Sequence, residues 1–78
     1  MGVQAAATGT AASFASLVEP HLAYLYAFAL KISGKHATAE DLVQDALVRA
    51  FRAYDTLRDR DKAKHWLTKI LLAASADL

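Results

Sequence analysis

The feature that most constrains the fold is the stretch of residues 38–54, in which an apolar set and a polar set of side chains each recur at short, regular spacings. Its apolar set comprises Leu42, Val43, Ala46, Leu47, Ala50, Phe51 and Tyr54. Its polar set comprises Glu40, Asp41, Gln44, Asp45, Arg49 and Arg52. Spacings of three and four residues are those of an amphipathic helix. The stretch therefore predicts a helix with one face in a core and the other free to meet a partner.

Two residues predict where this helix begins. Thr38 is followed three positions later by Asp41, which resembles a capping box with aspartate in place of the usual glutamate. Negative side chains here also suit the positive end of the helix dipole. We therefore predict the helix N-terminus at Thr38.

A longer helix is predicted before it. Ser13 is a plausible N-cap, and the apolar pattern runs from there to Ile32 or Ser33, where Gly34 supplies a C-terminal stop. Pro20 lies inside this pattern. Because a proline removes one helical hydrogen bond, we expect a kink there, or two short helices that meet.

The last helix is predicted to follow residues 55–62, whose dense charge indicates an exposed loop. Asp61 is placed to cap this helix. Its inward face carries Trp66, Leu67, Ile70, Leu71 and Ala74. The fold prediction is an all-α protein, a small three-helix bundle with a kinked first helix. Residues 13–78 form this domain, and residues 1–12, small and nearly uncharged, are predicted to be a flexible N-terminal arm.

Composition narrows the class of protein. The chain has no cysteine, so disulfides and thiolate zinc sites are excluded. Residues 1–48 carry a net charge of −2 and residues 49–78 a net charge of +3. A basic half suits a polyanion, although ordinary solvated surfaces show the same excess. The longest apolar run, residues 22–30, is far short of the about 20 residues that span a bilayer. We expect a cytoplasmic protein with no membrane partner.

The order of residues is similar to that of a known family. The run Ala39-Glu-Asp-Leu-Val-Gln-Asp45 follows a glycine-containing turn, and Trp66-Leu67 stands at a matching distance downstream. Further matching positions are Pro20, Leu22, Ala29, Gly34, Ala50, Phe51, Ile70 and Asp77. Over residues 14–78 the pattern resembles the second conserved region of extracytoplasmic-function (ECF) sigma factors, which are bacterial transcription initiation factors of the sigma-70 class. The resemblance implies a helical domain with two kinds of partner.

The first implied partner is RNA polymerase. In the family the central helix docks on the clamp helices of the beta-prime subunit. Asp41, Gln44 and Asp45 match the docking motif, and Arg49 and Arg52 are added because helical geometry puts them on the same side. Such groups make charge-assisted bonds that orient a partner. Capping alone also explains Asp41, and a merely solvated face explains Gln44 and Asp45. The motif favours docking for the last two.

The second implied partner is promoter DNA at the −10 element. In the family the loop after the central helix captures an unstacked base of the non-template strand, and the next helix lies against the opened strand. Cations for the phosphates would come from Arg58, Arg60, Lys62, Lys64 and Lys69. Asp55, Asp59 and Asp61 alternate with them, and either select against some bases or neutralise the loop. Trp66 is predicted in the core, in helical register with Ile70.

Two departures from the family bear on this expectation. Between Ile70 and Asp77 the family often carries a basic residue and an asparagine, where this chain has Leu71-Leu-Ala-Ala-Ser-Ala. Part of the DNA-reading surface is therefore missing, which makes docking the better supported contact. The family's fourth region, a helix-turn-helix domain that reads the −35 element, is absent from these 78 residues. We expect the natural protein to continue beyond them.

Two other classes of function are weighed. A pure protein-interaction module would be held by polymerase or by an anti-sigma factor without opening DNA. Its partner surface would include Leu71, Leu72 and Leu78. An enzyme is the weakest interpretation, because His21, His36 and His65 are scattered and form no His-x-x-x-His or Glu-x-x-His pair. We expect no catalytic residue, no metal and no cofactor.

Overall fold

The chain is helical along most of its length. The computed structural model describes the backbone of residues 2–77 and the side chains of residues 10–77. Its helices are α1 (Gly2–Val18), α2 (Leu22–Ser33), α3 (His36–Arg52) and α4 (Ala63–Ala76). Single 3₁₀ turns lie at Glu19–His21, Tyr54–Thr56 and Arg60–Lys62. No strand occurs within residues 2–77, so the prediction of an all-α domain is confirmed.

The first predicted helix is divided at Pro20. α1 ends at Val18 and α2 begins at Leu22, with the 3₁₀ turn between them. Because proline cannot donate an α-helical hydrogen bond, the ladder is interrupted where the residue falls. Of the two expected alternatives, a kink or two helices that meet, the structure shows the second. The expected start after Ser13 is wrong, since α1 begins at Gly2 and the alanine-rich run continues the helix. The flexibility of residues 1–12 stays a prediction.

The junction between α2 and α3 is shorter than predicted. Gly34 ends α2 in the left-handed region, with φ at 76°, and its N–H donates to the Leu30 carbonyl over 2.7 Å. Lys35 is extended and is the N-cap of α3, which begins at His36. The predicted start at Thr38 is therefore wrong, and no side chain caps this helix. The physical reason is that two residues already reverse the chain, so helical bonding resumes at once, from the Ala39 N–H to the Lys35 carbonyl over 2.9 Å.

The core is built around α3, which packs along both α2 and α4. The connected cluster of buried side chains comprises Val18, Leu25, Ala29, Ala39, Leu42, Val43, Ala46, Ala50, Leu67, Leu71 and Ala74. The predicted inward faces of α3 and α4 are thus confirmed, apart from Phe51. Trp66 and Ile70 are partly buried and pack against this cluster, in the register that the sequence predicted. α3 consequently lies in a fixed position with its opposite side exposed.

Several apolar side chains fall elsewhere than expected. Phe51 was predicted on the core face of its helix and Ile32 at the end of an apolar pattern, yet each is 44% exposed. Leu71, proposed as part of a partner surface, is fully buried, whereas Leu72 beside it is 45% exposed. Leu78 lies outside the described residues. Of the two described leucines in that set, Leu72 is therefore the one available to a partner.

The segment after α3 is more ordered than a plain loop. Asp59, rather than Asp61, provides the cap, because its Oδ1 accepts from the Asp61 N–H over 3.0 Å and starts the 3₁₀ turn Arg60–Lys62. α4 follows directly at Ala63, with no side-chain cap of its own. Among the described residues, no helix combines the length and the apolar character that crossing a membrane requires.

Candidate docking and nucleic-acid surfaces

The polar side of α3 carries two adjacent rows of side chains. One row is Asp41, Asp45 and Arg49, and the other is Gln44, Val48 and Arg52; within each row the spacing is four residues. All six are exposed except Arg49, which is half-buried. The structure thus brings together the five residues predicted for docking, three of them from the family motif and two, Arg49 and Arg52, from helical geometry. We call these six residues the α3 polar face.

Arg49 is held by carboxylates of this same chain. Its Nη2 lies 2.7 Å from Oδ2 of Asp77, just after α4, and its Nε lies 3.2 Å from Oδ2 of Asp45, one turn earlier on α3. The hydrogen bond to Asp77 is the main cause that raises the pKa of the Arg49 guanidinium above its ordinary value, with the Asp45 charge adding to it and desolvation opposing. Arg49 therefore links α3 to the end of α4 and orients the Asp45 carboxylate.

Val48 is a member of this face that the sequence analysis did not single out. It is 47% exposed, in the row between Gln44 and Arg52. Single exposed apolar side chains are common on protein surfaces, and one surrounded by polar side chains also suits the centre of a protein interface, where the rim stays solvated. The signal was present in the sequence as a valine four residues from each of these two polar side chains.

A groove lies between the 53–62 segment and α4. Its volume is about 280 Å³. It is lined by Thr56, Leu57, Arg58, Asp59, Lys62, His65, Trp66 and Lys69. Three of the five predicted DNA-binding cations, Arg58, Lys62 and Lys69, thus surround one concavity that also exposes part of Trp66. We call it the loop groove. Trp66 was expected in the core alone, but it packs on the core with one side and lines the groove with another.

The two remaining predicted cations lie outside the loop groove. Arg60 donates from Nη1 to the Tyr54 hydroxyl over 3.2 Å, on the α1 side of the segment. The Nζ of Lys64 sits 4.2 Å from the centroid of the Tyr24 ring, a cation–π contact with α2. The structure therefore divides the five cations into a cluster of three and two that are engaged elsewhere.

The acidic residues of the segment do not neutralise these cations by direct pairing. Within residues 10–77, both ion pairs belong to Arg49, and none involves Asp55, Asp59 or Asp61. Asp59 instead bonds the backbone as a cap. The three cations around the loop groove accordingly remain available to an anion.

The second half of α4 offers little to a nucleic acid. Leu72, Ala73 and Ala76 are exposed there, and the Ser75 hydroxyl donates to the Leu72 carbonyl over 2.6 Å. Consequently the side chains able to bind phosphates or bases lie in the first half of α4 and the preceding segment. In the part of the chain with described side chains, no group of three or more His, Cys, Asp or Glu is arranged to hold a metal ion.

Comparison with known proteins decides the family. Residues 17–78 match the family model described as sigma-70 region 2. The chain belongs to the sigma-70 region 2 family. It is 38% identical over 66 residues to the ECF RNA polymerase sigma factor SigL of Mycobacterium tuberculosis, covering 83% of this chain and 37% of SigL. It is 35% identical over 57 residues to SigG, another ECF sigma factor of that organism, covering 73% of this chain and 15% of SigG. No solved structure matches.

The matched part of this region 2 domain thus spans 37% of the length of SigL and 15% of the length of SigG. The family match begins at Leu17, so it covers the end of α1 and all of α2, α3 and α4. The α3 polar face and the loop groove both fall inside the matched residues. His65, which the sequence analysis treated as a surface histidine, lies in the loop groove one turn before Lys69. Its spacings of three residues from Lys62 and four from Lys69 are the signal in the sequence that joins it to the basic cluster.

Proposed function

We propose that this domain serves transcription initiation by docking on RNA polymerase through the α3 polar face and by holding the opened −10 strand at the loop groove. The role is non-enzymatic and belongs to the cytoplasm, where polymerase acts. The partner of the polar face is the clamp helices of the beta-prime subunit, and the nucleic-acid partner is the non-template strand.

The observation that carries the proposal is the division of α3 into two sides. One side is buried among α2 and α4, whereas Asp41, Gln44 and Asp45 are all exposed on the other. A rigid helix that presents carboxylates and an amide in fixed rows suits a partner with arginines at matching spacing, because each charged bond then needs little reorganisation.

Within this face the residues take different roles. Asp41, Gln44 and Arg52 have no side-chain partner among the described residues, so they are available to polymerase. Asp45 forms an ion pair with Arg49. We assign Arg49 to orienting Asp45 rather than to direct contact, and Val48 to the apolar centre of the contact.

The loop groove supports the nucleic-acid part of the proposal. Arg58, Lys62 and Lys69 surround it, and the partly buried Trp66 offers a flat surface to an unstacked base. Because the outer side of the second half of α4 carries no cation, we expect contact with the strand to be confined to the first half and to the segment before it.

Binding of a single-stranded −10 oligonucleotide tests this part. We expect affinity to fall with salt and each of Lys62→Ala and Lys69→Ala to reduce the slope of log affinity against log salt by about 0.7, one phosphate contact each. Lys35→Ala is the matched control, because it removes an exposed lysine at the α2–α3 junction and should leave the slope unchanged. Equal slopes for all four proteins would contradict the assignment.

A second candidate function is a protein-interaction module without DNA-opening activity, held by polymerase or by an anti-sigma factor. The exposed apolar side chains of Ile32 and Leu72 favour it, since both suit a protein partner. The same experiment separates the two. Failure to bind the oligonucleotide at low salt, by a folded domain that still binds polymerase, would favour this alternative.

A further inference from the structure

A second and larger groove lies on the other side of the 53–62 segment from the loop groove. Its volume is about 590 Å³, and it runs between the middle of α1 at Thr10, the end of α3 and the segment itself. Besides Thr10, it is lined by the following residues of α3 and the segment: Phe51, Arg52, Tyr54, Asp55, Leu57 and Arg60. We call it the aromatic groove. Leu57 lines both grooves, so the two grooves meet at this side chain.

The aromatic wall of this groove is held in place. Phe14 on α1 meets the rings of Phe51 and Tyr54 edge to face, with centroid distances of 5.2 Å in each case. Despite this contact, 44% of Phe51 remains exposed. A fixed, exposed aromatic ring is the platform on which an unstacked base binds, because every base has a π-face.

The polar groups of the groove suit a nucleotide. Arg52 makes no ion pair with any described side chain, and Arg60 is oriented by the Tyr54 hydroxyl, which is itself 2.7 Å from Oγ of Ser13. Two guanidinium groups thus stand beside the aromatic wall and match phosphate oxygens. Asp55 adds a carboxylate, which accepts a hydrogen bond from the exocyclic amine of cytosine or adenine but not from thymine.

We propose that the aromatic groove is a second base-binding site, which stacks a base bearing an exocyclic amine on Phe51 while Arg60 binds a neighbouring phosphate. The site rests on the proposed function and extends it. Two bases of one strand would then lie on either side of Leu57, one in each groove. A strand gripped in this way is held apart from its complement at two points.

Three 12-nucleotide probes test the site: single-stranded dC, single-stranded dT and a backbone with abasic residues throughout. Phe51→Leu keeps an apolar side chain but loses the flat face, and Phe51→Trp keeps a flat face. We expect Phe51→Leu to weaken binding of dC by about 5- to 150-fold, the range for loss of one stacked base. Binding of the abasic probe should be unchanged, and Phe51→Trp should bind dC as the unaltered chain does.

The outcomes separate this site from the loop groove. Asp55→Asn should reduce the preference for dC over dT. If Phe51→Leu binds dC normally while Lys62→Ala weakens it, the second site is wrong and the loop groove stands. If Phe51→Leu weakens the abasic probe equally, the effect is not stacking and the second site is also wrong. If the unaltered chain binds none of the probes at low salt, both this site and the nucleic-acid part of the proposed function fail.

Discussion

Tyr54 joins three parts of the chain through one hydroxyl. It is bonded to Oγ of Ser13 on α1 and accepts from Arg60 in the following 3₁₀ turn. The bond with Ser13 is the main cause that lowers the pKa of the Tyr54 phenol, and the bond to Arg60 and its charge act in the same direction against the effect of burial. The Tyr54 phenol, which is titratable, thus connects α1 to the segment that lines the aromatic groove.

This environment gives a pH prediction. A phenol with a lowered pKa in the folded state adds stability that is complete above the ordinary value of about 10 and is lost as pH falls through the folded pKa. The free energy of unfolding of the unaltered chain, relative to Tyr54→Phe, should therefore rise with pH just below that value. Denaturant unfolding across this range measures it, with tyrosinate absorbance to follow the phenol. A flat or falling difference would contradict the assignment.

Gln44 and Asp45 differ as probes of docking. Asp45 is paired with Arg49, which also holds Asp77, so changing it disturbs the link between α3 and α4. Gln44 is exposed and makes no hydrogen bond or ion pair among the described residues. A substitution at Gln44 therefore changes the surface without changing the internal contacts of the domain.

At the scale of the element, the start of α4 depends on Asp59. Its side chain accepts from the Asp61 N–H, and the 3₁₀ turn it caps leads directly into the helix. Asp59→Ala should lower the free energy of unfolding by about 0.5–2 kcal/mol, the usual cost of a lost cap. Asp61→Ala is the matched control and should change it by less than about 0.5 kcal/mol. Urea unfolding measures both. A larger loss of unfolding free energy for Asp61→Ala than for Asp59→Ala would contradict this assignment and support Asp61 as the cap.

The register of α4 is tested by two neighbouring leucines. Leu71 is fully buried and Leu72 is 45% exposed. Leu71→Ala should lower the free energy of unfolding by about 2–5 kcal/mol, because it removes core contacts and leaves a cavity. Leu72→Ala should change it by no more than about 0.5 kcal/mol. Thermal and urea unfolding compare the two variants, and similar losses would show that the helix is rotated.

Periodicity predicted the elements better than their ends. The inward faces of α3 and α4 follow directly from spacing, because burial repeats with the helical turn. The caps and first residues of the helices do not follow from spacing. Lys35 and Asp59 are N-caps because of the turn that the chain makes before them. Spacing likewise could not show that Phe51 stays half exposed, because that depends on where α1 crosses α3. The family motif named the polar face, but the pairing of Arg49 with Asp77 joins two helices and needs the folded chain.

At the scale of the molecule, one helix connects both proposed surfaces. α3 carries the polar face along its length and ends at Arg52, where the segment that forms both grooves begins. Arg52 belongs to the polar face and also lines the aromatic groove, so these surfaces adjoin at the end of α3. Docking of α3 on polymerase would therefore fix the position of the grooves without any movement within the domain.

The central claim is that the α3 polar face docks on polymerase, and the affinity of Gln44→Lys for core RNA polymerase tests it most directly. Ala23→Lys is the matched control, since it adds the same charge at an exposed position of α2. We predict that Gln44→Lys weakens binding by about tenfold or more, because a cation replaces an amide opposite basic groups of the clamp. Ala23→Lys should bind as the unaltered chain does. Unchanged affinity of a folded Gln44→Lys variant would contradict the account.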